Sequence, residues 1–362
     1  DVSFRCLVGD RNGDGVPDPG DIPAACDPKA DASWFVKNGQ AVRPCIPANT
    51  DKCNIIVVTA NNKMKFFLAP VLRIKEGDTG TLMSAACKGS CGGPPSGPVD
   101  MVLVLDRTGS MSSADLTNMR NATRDLLKLY DPNLQWVGLG LLGPSNASTS
   151  CSGANSPAKG MGANSSQYAT GNWVPVGLSG VGAPVNESYV SGGVLNTSSL
   201  LVKAITCFNS SSTGTNLSTS MKKAKEYLLT PGVGRPGVKK GIIFETDGSP
   251  NFGTGNPADY TCQASATEAA AAKAAGIEVF TIGFGVSSGD ACPDSSGFYN
   301  GKAVTRLLAD NATTSIDNGC VAAENTDGDH FFCAPKTTDL SSIFQTVAAA
   351  ISSGSHLVTL PQ

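Results

Sequence analysis

Charge is scarce in this chain: only 16% of its 362 residues are Asp, Glu, Lys or Arg, and the balance is nearly even at a net charge of -3. A nucleic-acid surface needs clustered Lys and Arg to neutralise phosphates, so this composition points away from DNA or RNA as a partner. Histidine is almost missing, with His330 and His356 alone, and no CxxC pair occurs. Zinc sites built on imidazole and thiolate are thereby short of donors. A glycine-rich loop ending in Lys-Ser/Thr, which would cradle a phosphate, is absent as well. No apolar run reaches the roughly 20 residues that span a bilayer, so membrane attachment is expected only through a segment outside this sequence.

What is present is cysteine, twelve residues of it, together with 41 glycines and long polar stretches rich in Ser, Thr and Asn. The cysteines fall as near neighbours: Cys6 and Cys26, Cys45 and Cys53, Cys87 and Cys91, Cys151 and Cys207, Cys262 and Cys292, Cys320 and Cys333. An even count without metal spacing favours disulfides and an oxidising compartment, which places the protein outside the cell or on its surface. Connectivity stays open from spacing alone.

The length allows two or three domains. Residues 1–53 are polar, proline-bearing and cysteine-rich; 54–98 form a small β-rich segment ending in the linker "CKGSCGGPPSGP". Within that segment "NIIVVTA" and "TGTLMSAA" have strand character, and "MKFFLAPVLRI" is either a short helix or a bent strand. From Val99 to about 353, strands and helices alternate, with an insertion at 144–172 and a tail at 354–362. Such alternation implies a doubly wound, mostly parallel α/β sheet of Rossmann-like build with helices on both faces.

One stretch concentrates the chemistry. "VDMVLVLDRTGSMSSADL" runs from a buried parallel strand into Asp106, Thr108, Ser110 and Ser112. The carboxyl ends of such strands are where open α/β sheets place ligands, and hard oxygens converging there suit a divalent cation. The competing reading is a helix N-cap at Ser112 or Ser113. Two further strand ends carry oxygens: Thr215 in "TGTNLS", and Asp247 in "GIIFETDGSPN". This set resembles the von Willebrand factor A domain and its metal-ion-dependent adhesion site, with Asp-x-Ser/Thr-x-Ser, a distant Thr, and an Asp in a Thr-Asp-Gly turn. The resemblance implies a cation, Mg2+ or Mn2+ (or Ca2+), held by Asp106, Thr108, Ser110, Thr215 and Asp247. It leaves one coordination position for an acidic group of a protein or surface partner. Enzymatic readings fit less well: position 108 is Thr where a phosphotransfer enzyme of the haloacid dehalogenase type has its second Asp. Both histidines lie far toward the carboxyl end, so a Ser-His-Asp hydrolase is hard to build. The expectation is a protein that is not an enzyme.

A second loop, "DRNGDGVPDPGD", sets Asp10, Asn12, Asp14, Asp18 and Asp21 in calcium-loop register, with Gly15 at the turn and the Val16 carbonyl as a further ligand. It is similar to the thrombospondin type 3 and dockerin-like loops of secreted proteins, and implies a structural Ca2+ bracketed by Cys6 and Cys26. The segments on either side of the A region are similar to bacterial TadE/TadG-like proteins of tight-adherence pilus systems. Together these imply an extracellular, metal-dependent adhesion protein associated with a pilus or filament. The alternative is a structural filament or pilus-assembly subunit whose metals serve only stability. In the implied fold the 144–172 insertion leaves the same sheet edge as Asp106, so Cys151–Cys207 and Cys262–Cys292 disulfides are expected around the metal.

Overall fold

Two patterns of apolar residues, one alternating and one continuous, build the two large sheets of the computed structural model. It describes residues 1–9, 35–37, 40–47, 53–65, 76–88, 97–145, 171–210, 214–248, 250, 261–286, 289–315, 319–320, 324–326, 329–334, 339–352 and 355–358. The chain divides into one unit of Asp1–Pro94 with Ser353–Gln362, and a second of Pro95–Ser352.

The first unit is a six-stranded antiparallel sheet of β1 (Val2–Gly9), β2 (Phe35–Lys37), β3 (Gln40–Cys45), β4 (Ile55–Lys65), β5 (Glu76–Lys88) and the chain's last strand, β15 (Ser355–Val358). Their order is β15-β5-β4-β1-β3-β2. Alternation is clear in β4, where Ile55 and Val57 are buried against Leu7 and Ala85 while Ile56 and Val58 are exposed. That is the pattern of an antiparallel sheet with one covered face. The Cys45–Cys53 disulfide joins the last residue of β3 to the residue two before β4. Beside it the Asn54 amide accepts from Leu7 N–H at 2.8 Å and donates to Leu7 C=O at 2.7 Å, serving as a ladder rung. The cysteine-rich region, the β-rich segment and the tail thus supply strands to one sheet. The four residues of β15 within the tail are too few to show a period, and their partner β5 lies far back in the chain.

In the second unit β6 (Val99–Leu105) is buried along its whole length. Met101, Leu103 and Leu105 enter one core and Val102 and Val104 the other, because successive side chains point to opposite faces. Around it come α1 (Ser113–Lys128), β7 (Gln135–Leu141), β8 (Val176–Gly180), β9 (Val185–Asn186), the hairpin β10 (Val190–Ser191) and β11 (Val194–Leu195), and α2 (Leu200–Cys207). Then follow α3 (Leu217–Leu229), β12 (Lys239–Thr246), α4 (Cys262–Ala274), β13 (Ile277–Phe284), α5 (Val304–Asn311), β14 (Phe331–Ala334) and α6 (Leu340–Ser352). The sheet order is β14-β13-β12-β6-β7-β8-β9. Pairing is parallel from β14 through β7, and β8 runs antiparallel to β7. Side chains of α1, α2 and α6 pack in one core, and those of α3, α4 and α5 in the other, giving the doubly wound α/β layers. Among the described residues no helix is long and apolar enough to cross a membrane.

Disulfides join Cys262 to Cys292, as expected, and Cys320 to Cys333. Cys6 and Cys207 are also disulfide-bonded. Their expected partners, Cys26 and Cys151, lie outside the described residues, as does Cys91. At the amino end of β6, the fully buried Asp100 accepts from Arg235 main-chain N–H at 2.6 Å and Nε at 2.8 Å. The same guanidinium donates to Val99 and Leu134 carbonyls and lies 4.2 Å over the Trp136 ring. Removing one partner of a buried pair strands the other's charge. Arg235→Ala is expected to destabilise this unit by about 3–5 kcal/mol. Lys128→Ala, which breaks an exposed pair with Asp125, should cost below about 1 kcal/mol. Denaturant unfolding of the two variants measures the difference.

Candidate functional site

β6 and β12 are neighbours in register, with Phe244 opposite Val104, so their carboxyl ends finish side by side. Asp106 follows β6 and is wholly buried. One carboxylate oxygen accepts from Thr108 N–H at 2.8 Å and from the Thr108 hydroxyl at 2.7 Å. The other accepts from the Thr246 hydroxyl at 2.8 Å and Asp247 N–H at 3.2 Å. Four donors from two strand ends therefore converge on one side chain.

The remaining oxygens form a chain. The Thr215 hydroxyl, buried just before α3, donates to the Thr108 hydroxyl at 3.3 Å. Thr108 and Ser110 hydroxyls stand 3.2 Å apart, and Ser110 donates to Asp247 at 2.8 Å. Asp106, Thr108, Ser110, Thr215 and Asp247 thus meet at one place, although they come from three separate stretches of chain. Ser110 is exposed and Asp247 half-buried, whereas Asp106, Thr108 and Thr215 lie beneath them. The helix-cap reading also holds, two residues on: Ser112 accepts from Asp115 N–H and forms a capping box with the Asp115 side chain.

Electrostatics at this cluster are one-sided. Burial first, then the Asp106 carboxylate, pushes the Asp247 carboxyl up from its ordinary 3.8 to about 8, against the opposing hydrogen bond from Ser110. Glu245 is raised well above the carboxylate range, chiefly by burial and then by Asp106, with Asp247 and Asp115 adding to it. No ion pair to Asp106, Glu245 or Asp247 occurs among the described residues. The nearest cation along the chain, Arg107, points elsewhere. Its buried guanidinium donates to Gly143 and Pro144 carbonyls at 2.9 Å and to the Ser145 hydroxyl at 2.8 Å. Arg107 so ties this loop to the foot of the 144–172 insertion, where Ser145 and Asn172 exchange two main-chain hydrogen bonds of 2.8 Å.

Arg107, Glu245 and Thr246 belong to the site's framework and are not among its expected ligands. A signal for Arg107 exists, since alternation of Asp106 and Thr108 toward one side sends position 107 to the other. Thr246 sits within the Thr-Asp-Gly turn itself. For Glu245 the signal is a lone acid at the end of an apolar run. The histidines lie apart: His330 stacks on Phe280 at 4.1 Å, and His356 is in β15 of the other unit. The calcium loop, with Asp10, Asn12, Asp14, Val16, Asp18 and Asp21, lies outside the described residues.

Residues 187–345 match the family model of the von Willebrand factor type A domain. No curated protein matches the chain. Among solved structures, proximal thread matrix protein 1 from the mussel byssus, with a zinc-occupied MIDAS motif, is 14% identical, covers 72% of this chain and 48% of its own, and has a TM-score of 0.44. This chain thus spans about half the length of that byssus protein. The pilus adhesin SpaC from Lactobacillus rhamnosus GG is 14% identical over 90% of this chain and 36% of its own, with a TM-score of 0.47. BatB from Bacteroides thetaiotaomicron is 15% identical over 69% of this chain and 97% of its own, with a TM-score of 0.37. The matched residues 187–345 include Thr215 and Asp247 of the oxygen cluster, which lies where β6 and β12 end together.

Proposed function

We propose that the oxygen cluster at the ends of β6 and β12 binds a divalent cation, Mg2+ or Mn2+ (or Ca2+), and through it an acidic group of a protein or surface partner. The role is adhesion at the cell surface, in association with a pilus or filament. One observation carries this reading. β6 has a buried aspartate at each end; Asp100 is matched by Arg235, while among the described residues Asp106 meets only hydroxyls, N–H groups and more acids. A dication is the missing counter-charge.

The donor set fits such an ion. Among the described residues no group of three or more His, Cys, Asp and Glu is placed to hold a metal, so the available ligands are hydroxyls and two carboxylates, hard oxygens throughout. Oxygens at right angles around Mg2+, each at about 2.0–2.1 Å, stand about 2.9 Å from one another. The successive spacings of 3.3, 3.2 and 2.8 Å from Thr215 through Thr108 and Ser110 to Asp247 lie close to that edge. Thr108, Ser110 and Thr215 would hold the ion by their hydroxyls, with Asp106 and Asp247 supplying charge. When bound, the ion supplies a Lewis-acidic position for a partner's carboxylate. Binding rather than catalysis is inferred, because no imidazole adjoins the hydroxyls among the described residues. The N-terminal loop is read on ligand spacing alone as a separate, structural Ca2+ site.

Asp247→Ala and Ser110→Ala are the informative variants, since Asp106 also fastens the fold. Each is expected to weaken cation-dependent partner binding by more than the about 10–100-fold typical of outer-shell changes, with little loss of stability. Adhesion measured in Mg2+ or Mn2+ decides this; variants that adhere like the wild type would refute the reading, and variants that lose only stability would make the subunit structural.

The Asp247 carboxyl gives a pH dependence in chelator. The folded chain keeps this proton up to about 8 while the unfolded chain releases it near 3.8. Between those values the folded state binds more protons, so its stability falls as pH rises, and levels off above. Asp247→Asn should remove that slope and added Mg2+ should flatten it, as read from melting temperature against pH.

Calcium in the N-terminal loop is expected to stabilise by about 2.7 kcal/mol at a hundredfold excess over Kd. Asp14→Ala should abolish most of the calcium-dependent melting shift and leave the A domain folded.

A further inference from the structure

Glu245 is an expensive residue in its place. It follows Ile242, Ile243 and Phe244, all fully buried, and its own side chain has no exposure. One carboxyl oxygen accepts from Asp106 N–H at 2.8 Å. The other has no hydrogen-bond partner among the described residues. Around it stand Asp106, Asp247 and Asp115, all acids. Burying a carboxyl with one oxygen unpaired costs stability, and an apolar side chain would suit the end of a buried strand better. A local rule broken this way is expected where function needs the residue.

The contact it does make lies at the centre of the cluster. The β6–β12 ladder runs to Val104 and Phe244. Just beyond, Asp106 N–H is met by a side chain reaching across from β12. That bond fixes the main chain at the residue whose carboxylate gathers four donors. We propose that Glu245 is a positioning residue of the cation site: its length carries an acceptor to Asp106 N–H, and so sets where the Asp106 carboxylate stands. The inference rests on the cation reading above. Glu245 touches no ligand position itself; it acts through Asp106.

Reach and acid chemistry are separable by two conservative changes. Glu245→Gln keeps the reach and an acceptor oxygen, and replaces the carboxyl with an amide. Glu245→Asp keeps the carboxyl and withdraws the acceptor by one methylene. In the full chain, Mn2+ affinity by calorimetry should stay within about threefold of wild type for Gln and fall by about 10–100-fold for Asp. In chelator, with no cation involved, hydrogen exchange at the Asp106 amide should stay slow in wild type and Gln and speed by about tenfold or more in Asp. Near-UV circular dichroism establishes that both variants are folded. Strong binding by Asp with weak binding by Gln would make the carboxyl group, not its reach, the contribution and overturn the proposal, as would equal binding by both. A wild type that takes up no Mn2+ overturns the cation reading, whereas unchanged Asp106 exchange in Glu245→Asp overturns the role given to Glu245 whatever the cation does.

Discussion

The Asp106 carboxylate is the constraint on which the site depends. Two parallel strands can end side by side without their loops agreeing on anything, because the ladder stops at the last paired residue. Here Thr108 donates from its main chain and hydroxyl to one oxygen, and Thr246 and Asp247 donate to the other. One buried side chain therefore holds both loops. Thr108, Ser110 and Asp247 come into hydrogen-bond reach of one another as a consequence. Charge-assisted hydrogen bonds are stronger than neutral ones, and their number here offsets part of the cost of burying the carboxylate.

The same strand shows two solutions to a buried aspartate. At its amino end Asp100 is closed off by a guanidinium that also binds two main-chain carbonyls and stacks on Trp136. At its carboxyl end acids accumulate, and the one arginine in the loop is turned away to hold the insertion's foot. The first arrangement is complete in itself. The second gathers carboxyls on a partly exposed edge, where burial first and the Asp106 carboxylate second raise Asp247. Compensated and uncompensated acids thus stand at the two ends of a single strand.

Much of this was legible in the residues. Continuous apolar runs at 99–105 and 277–284 announce strands buried on both faces, and the oxygens at 106, 108 and 110 follow the first of them at alternate positions. Such signals are local: burial, alternation and capping each act within a few residues, so the order of strands and helices in the second unit and the position of the Ser112 cap lie close to the surface of the sequence. The Cys262–Cys292 pairing was also accessible, once a parallel sheet put both loops on one edge.

Other features exist only because distant segments meet. β15 pairs with β5 across more than two hundred residues, and four residues have no period to betray a strand. The antiparallel return of β8 follows an insertion whose length conceals direction. Glu245 is an ordinary acid in sequence, and its significance arises when β12 lies beside β6 and brings its carboxyl to Asp106 N–H. Which residues carry hard oxygens and which strands are buried can be read from the residues alone, because side-chain chemistry and hydrophobic period are properties of the chain. Which charges are compensated emerges on folding, because compensation depends on distances between residues that the chain keeps apart.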